Sequence, residues 1–181
     1  MPRGAADAAS LLLTRPVEWS DDATLDRERR MNLKKALSPD TISLSLKGET
    51  KEAIIDELVD LLMASGKIKN LKDRKEALRA IMDRERKMST WMQNGIAIPH
   101  GKTDRVYTLI AAIGVKREGV DFGALDNKPS SIFIATLSPD TRTGPHIQFL
   151  AEISRHLSDP TVRDRILNST RPEEVLDILS G

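Results

Sequence analysis

Two segments constrain this chain most: "VYTLIAAIGV" at 106–115 and "SSIFIATLS" at 130–138. Both are dominated by apolar and β-branched residues. Neither approaches the ~20 residues a membrane helix needs. A strand that is apolar on both of its alternating faces is stable only when both faces are covered. The two runs therefore read as buried strands of a central sheet with helices against it.

The remaining sequence supplies those helices. "TISLSLKGET" alternates Ile42, Leu44 and Leu46 and predicts a half-buried strand. Thr50 is an N-cap for a helix with Ile54, Leu58, Leu61 and Leu62 on one stripe, ended by Gly66. Asn70 caps a second helix carrying Ala77, Leu78, Ile81 and Met82. "GIAIPH" is a short strand, and "GVDFGALDN" is expected to hold another short strand and a turn. "SPDTRTGP" is a loop before the helix "HIQFLAEISRHL". Asp159-Pro160 opens a further helix by an N-cap followed by proline, and "TRPEEVLDILSG" repeats the device. The order is strand, two helices, several strands, three helices. It predicts an α/β fold, a single domain over 36–181 with a central mixed sheet flanked by helices on both faces. Residues 1–35 keep no sustained period and read as a flexible N-terminal extension.

Composition excludes several classes of function. The net charge is +1, which gives no electrostatic case for nucleic acid or acidic membranes. With no cysteine, disulfides, thiol nucleophiles and cysteine metal sites are out. "LLL" at 11–13 follows Asp7 and is too short for a secretory signal, so a cytoplasmic protein is expected.

The chain has three histidines. His100 follows Pro99, which removes a donor and is expected to end the ladder, so that His100 emerges at the strand's end. Sheets of this class place their sites there. Gly101 would leave room for an approaching group. A surface-loop histidine without duty is the competing reading. His146 follows Gly144-Pro145, with Thr143 as a candidate cap, and lies in the first turn of a helix. It shares a stripe with Phe149, Leu150, Ile153 and Leu157, so a packed core histidine is the competing reading. The functional one is that a helix N-terminus offers free N–H groups and lowers a histidine's pKa. His156 lies about 15 Å further along that helix and reads as a surface or edge residue. No two histidines have i,i+4 spacing, so no metal site is expected. Arg84 projects from the edge of the second helix's buried stripe. Its neighbours in "DRERK" suggest a solvated surface arginine as the alternative.

Together the residues resemble a known family. Arg84-Glu85, Ser89-Thr90, "GIAIPH" at 95–100 and His146 opening a long helix are similar to the type-2 enzyme IIA domains of the bacterial phosphoenolpyruvate-dependent phosphotransferase system. These are the fructose/mannitol-class domains and their nitrogen-regulatory paralogue. The resemblance covers about 36–181, and "NGIAIPHGK" looks closest to the nitrogen-regulatory branch. The chain departs from the pattern at Lys87-Met88 before Ser-Thr, and at Trp91 and Gln93, where the family usually has glycine.

The resemblance implies that His100 accepts a phosphoryl group from the histidine-containing phosphocarrier protein, with Arg84 and His146 holding its oxygens. It implies no cofactor and no metal. The downstream partner would be a IIB domain, in sugar uptake of the fructose/mannitol type, or a regulated transporter or kinase. A regulatory binding module without phosphoryl chemistry is a further alternative on the same fold.

Overall fold

A computed structural model of the protein describes residues 33–87, 90–92, 94–124 and 127–180. The expected extension lies outside the described residues except for 33–35. Residues 33–36 are helical, and Leu33 and Ala36 are buried in the core. Core packing thus reaches ahead of residue 36.

After a 3₁₀ turn at Pro39–Thr41 come β1 (Ile42–Ser43), α1 (Lys51–Ala64), α2 (Leu71–Lys87), β2 (Trp91–Met92), β3 (Ile96–Ala97) and β4 (His100–Lys102). Then follow β5 (Ile110–Val120), β6 (Ser130–Ser138), α3 (Gly144–Ser158), α4 (Pro160–Asn168) and α5 (Pro172–Ser180). The strands form one sheet in the order β1-β5-β6-β3-β2, with β4 also on β6. β5 and β6 are antiparallel, while β1 pairs β5, and β3 and β4 pair β6, in parallel. The sheet is mixed, as expected.

Its two faces carry separate cores. Ile132 and Ile134 of β6 pack with Ile113, Phe149, Ile153 and Val175, on the side of α3, α4 and α5. Phe133, Ala135 and Leu137 pack with Ile54, Leu58, Ala77 and Ile81, on the side of α1 and α2. Alternation along the strand sends successive residues to opposite faces. Both faces of β6, and of the apolar stretch of β5 beside it, are thereby covered.

The caps hold too. Thr50 accepts from Ala53 N–H, Asn70 from Asp73 N–H, and Asp159 from Thr161 N–H. At α5 the device differs: the Glu174 carboxylate accepts from the N–H groups of Thr170 and Arg171.

Four expectations are corrected. The strand at 42–46 pairs only over Ile42–Ser43. Leu46 joins the opposite core, where its side chain fills the place a Cβ on Gly114 would take. The run at 106–115 enters the sheet only at Ile110, opposite Leu137, because β6 ends one residue later. Tyr107 is 91% exposed. No separate strand forms in the described part of 119–127: Val120 closes β5, and Phe122 instead packs on Phe133 with ring centroids 5.1 Å apart. Finally, Pro99 interrupts the ladder but does not end it. Ile96 stands opposite Ile132 and His100 opposite Thr136, so the register is the same on both sides of the break. Proline lacks a donor but keeps its carbonyl, which accepts from Thr136 N–H at 3.0 Å.

Candidate functional site

The site lies at the carboxyl end of β4 and β6, where each strand runs into a loop. Its approach begins at the Asn94-Gly95 turn between β2 and β3. Both residues have positive φ, 70° and 75°, which glycine adopts without strain and asparagine tolerates. The Gly95 carbonyl accepts from Ser131 and Ile132 N–H, which ties the turn to β6. The strand then carries Ile96 and Ile98 into the α3-side core and presents His100 two residues on.

His100 is half-buried. Its Nδ1 lies 2.8 Å from the Ile98 carbonyl oxygen. A carbonyl only accepts, so Nδ1 carries the proton and donates. In the neutral ring Nε2 therefore keeps its lone pair. Burial lowers the His100 pKa, the Ile98 hydrogen bond opposes that, and the Arg84 charge lowers it further.

His146 stands in the first turn of α3, just after Pro145, and is buried. Its ring centroid is 5.4 Å from that of His100. Its Nδ1 is 3.0 Å from Ser138 Oγ, at the last residue of β6. Burial first, then the charges of His100, Lys102 and Arg84, bring its pKa down to about 4. Thr143 does not cap α3 with its side chain. Its hydroxyl instead accepts from Lys102 Nζ at 2.8 Å, so it anchors a lysine of β4 to the start of α3.

Arg84 comes from the last turn of α2. It lines one cleft of about 520 Å³ together with His100, Lys102 and His146. The structure thus brings the three expected residues to one place. His156 stays apart, on α3 beside Glu152 and Arg155.

Gly101 has a different purpose from the one expected. A Cβ there would lie 2.9 Å from the backbone of Ala80 and Ile81. The glycine lets α2 pack directly on β4, which sets Arg84 against His100. Glu85 anchors the end of the same helix: its buried carboxylate accepts from Lys51 Nζ at 3.0 Å and from Thr90 N–H at 2.9 Å and Thr90 Oγ1 at 2.5 Å. Ser89, Gln93 and the Trp91 side chain lie outside the described residues.

Three contributors went unidentified in the sequence as parts of the site: Lys102, Ser138 and Thr143. Lys102 had a signal, because it lies two positions after His100 and so projects to the same side of the strand. Ser138 had one as well, as a hydroxyl closing an otherwise apolar strand beside a loop.

The comparisons with known proteins bear on this geometry. The family model described as "Phosphoenolpyruvate-dependent sugar phosphotransferase system, EIIA 2" matches residues 35–181. The fructose-specific EIIA component of Haloferax volcanii is 37% identical over 139 residues, covering 77% of this chain and 88% of that protein. Longer curated relatives are matched over as little as 22% of their length. The nitrogen regulatory protein IIA-Ntr of Neisseria meningitidis superposes with a TM-score of 0.74 at 28% identity, over 80% of this chain and 97% of that one. Enzyme IIAMTL of Escherichia coli, solved in complex with phosphorylated enzyme IIBMTL, superposes with a TM-score of 0.68 at 30% identity, over 80% and 97%.

Proposed function

The chain belongs to the EIIA 2 family of the phosphoenolpyruvate-dependent sugar phosphotransferase system, and from that premise we propose that His100 is its phosphoryl acceptor. The family's components act in phosphoryl transfer. The observation that carries the assignment to His100 is its hydrogen bond to the Ile98 carbonyl, which leaves Nε2 as the nucleophilic atom in the cleft.

The step balances without a proton leaving the ring. The Nε2 lone pair attacks phosphorus as the bond from phosphorus to the donor's histidine nitrogen breaks. The positive charge that develops on the imidazole is shared with Nδ1–H, and the Ile98 carbonyl stabilises it. The moving group resembles metaphosphate, so positioning and charge supply most of the catalysis. Arg84 offers a planar fork to the oxygens. His146 and the N–H groups at the start of α3 offer further donors. The lowered pKa of His100 keeps it unprotonated, and so nucleophilic, at neutral pH.

The donor is the histidine-containing phosphocarrier protein, and the protein is of the nitrogen-regulatory type. "NGIAIPHGK" and the superposition on IIA-Ntr support that subtype. The carrier domain expected over 36–181 takes in the core-packed Leu33 as well, and the extension ahead of that residue is dispensable for phosphoryl acceptance. A second reading has a specific observation behind it. The 37% identity to a fructose-specific component supports a sugar-uptake carrier that discharges to a IIB domain.

Incubation with phosphorylated carrier protein tests the acceptor. The label is expected on His100, lost in acid and kept in alkali. Full labelling of His100→Ala would sink the assignment. Pull-downs with each phosphoform, beside a discharge assay with a IIB domain, separate regulator from sugar carrier.

A further inference from the structure

We infer that Ser138 is a positioning residue: its hydroxyl donates to Nδ1 of His146 and locks that imidazole as the Nε2–H tautomer. This rests on the reading of His146 as a clamp on the phosphoryl oxygens.

Ser138 is 1% exposed, and the only hydrogen-bond partner of its hydroxyl among the described residues is His146 Nδ1, at 3.0 Å. Two arrangements of the protons fit that distance. In one, Nδ1–H donates to Oγ. The serine proton is then buried without an acceptor, a loss of about 1–3 kcal/mol. In the other, the hydroxyl donates to the Nδ1 lone pair. Both groups are then satisfied, and the ring proton sits on Nε2.

The second arrangement is also the one the cleft can use. Phosphoryl oxygens only accept hydrogen bonds. An Nε2 lone pair would repel them, whereas an Nε2–H binds them without adding charge. His100 is fixed the other way round, because its Nδ1 faces a carbonyl. Two imidazoles 5.4 Å apart are therefore held in opposite tautomers. One presents a lone pair to phosphorus and the other presents a proton to its oxygens. The backbone around Ser138 supports this placement, since Thr103 N–H donates to the Ser138 carbonyl and holds the end of β6 against the chain leaving β4.

The test combines ¹⁵N-histidine NMR at pH 7.5 with phosphoryl uptake from the carrier protein. In the wild type, His146 is expected to show protonated Nε2 and pyridine-type Nδ1, and His100 the reverse. Ser138→Ala is expected to give His146 mixed tautomers and about tenfold slower uptake, the low end of what losing the orienting partner costs a metal-bound histidine. Ser138→Thr, which keeps the hydroxyl, is expected to restore both. A His146 found as Nδ1–H in the wild type overturns the inference without any variant having to fold. An unchanged tautomer in Ser138→Ala overturns it too. So does a changed tautomer with unchanged uptake where His146→Ala is slow. If His146→Ala itself takes up phosphate at the wild-type rate, the clamp reading has failed. That failure is distinguishable because the tautomer spectra still answer for Ser138.

Discussion

The two histidines of the cleft are held by different kinds of structure. His100 sits on a strand whose register runs unbroken across Pro99, and its ring is oriented by a backbone carbonyl. His146 begins a helix after a loop, and side chains orient that region: Ser138 on its ring, and Lys102 on Thr143. A backbone acceptor persists through substitution of the side chains around it. A hydroxyl or ammonium does not. The His100 half of the cleft is therefore expected to be insensitive to most changes, and the His146 half to be tunable by single substitutions.

The sharpest way to break this comparison is to exchange the two roles. His100→Ala is expected to abolish stable phosphorylation, since it removes the proposed attacking nitrogen. His146→Ala is expected to leave acceptance at His100 but slow it by about 10²–10³, the usual loss for one preorganised donor. Label appearing on His146 in the first variant would reverse the assignment. Wild-type uptake in the second would return His146 to a packed helix-start residue. Arg84→Lys keeps the charge and loses the fork, so uptake is expected to slow by an amount comparable to His146→Ala or smaller, with the urea midpoint nearly unchanged.

Gly101→Ala probes the backbone-held half. The added methyl would press on the backbone of α2 at Ala80 and Ile81. Overpacking of this kind costs about 1–3 kcal/mol. The strain also moves Arg84 relative to His100, so uptake is expected to fall along with stability. Unchanged stability would show that α2 yields freely, and that the close approach does not set the cleft.

How much of this was legible in the sequence follows the same division. The central sheet was, because alternation and apolar runs are set by burial on two faces. That His100, His146 and Arg84 would line one cleft could be anticipated, because each lies in a local motif that carries the family resemblance. The continuation of the strand past Pro99 was not, since it depends on β6, which lies far along the chain and accepts the same register on both sides of the break. Gly101 was misread for a similar reason: its neighbour is a helix twenty residues earlier in the chain, not a ligand. Leu46 crossed to the other core because Gly114 left a space there, and no pattern within 42–46 reports that. Ser138 and Thr143 were missed as partners because a hydroxyl at a strand or helix end has several local uses.

The smallest effect concerns acid. His146 has a folded-state pKa of about 4, lowered chiefly by burial and then by the charges of His100, Lys102 and Arg84. In the unfolded chain an ordinary histidine titrates near 6.5. Above that value both states are neutral and His146 makes no contribution to pH dependence. Between about 6.5 and 4 the unfolded state takes up a proton that the folded state refuses, so stability falls as pH falls. Below about 4 both states are protonated and the loss levels off. His146→Gln lacks the titrating group while the carboxylates and the other histidines remain common to both proteins. The urea midpoints of wild type and variant are therefore expected to differ by a constant at pH 7 and above. On acidification the wild type should lose ground against the variant through that window. The effect at neutral pH is nil, which separates it from the loss of a phosphoryl clamp. A midpoint difference that stays flat from pH 7.5 to pH 4 would mean that the buried imidazole accepts its proton as readily as a free one.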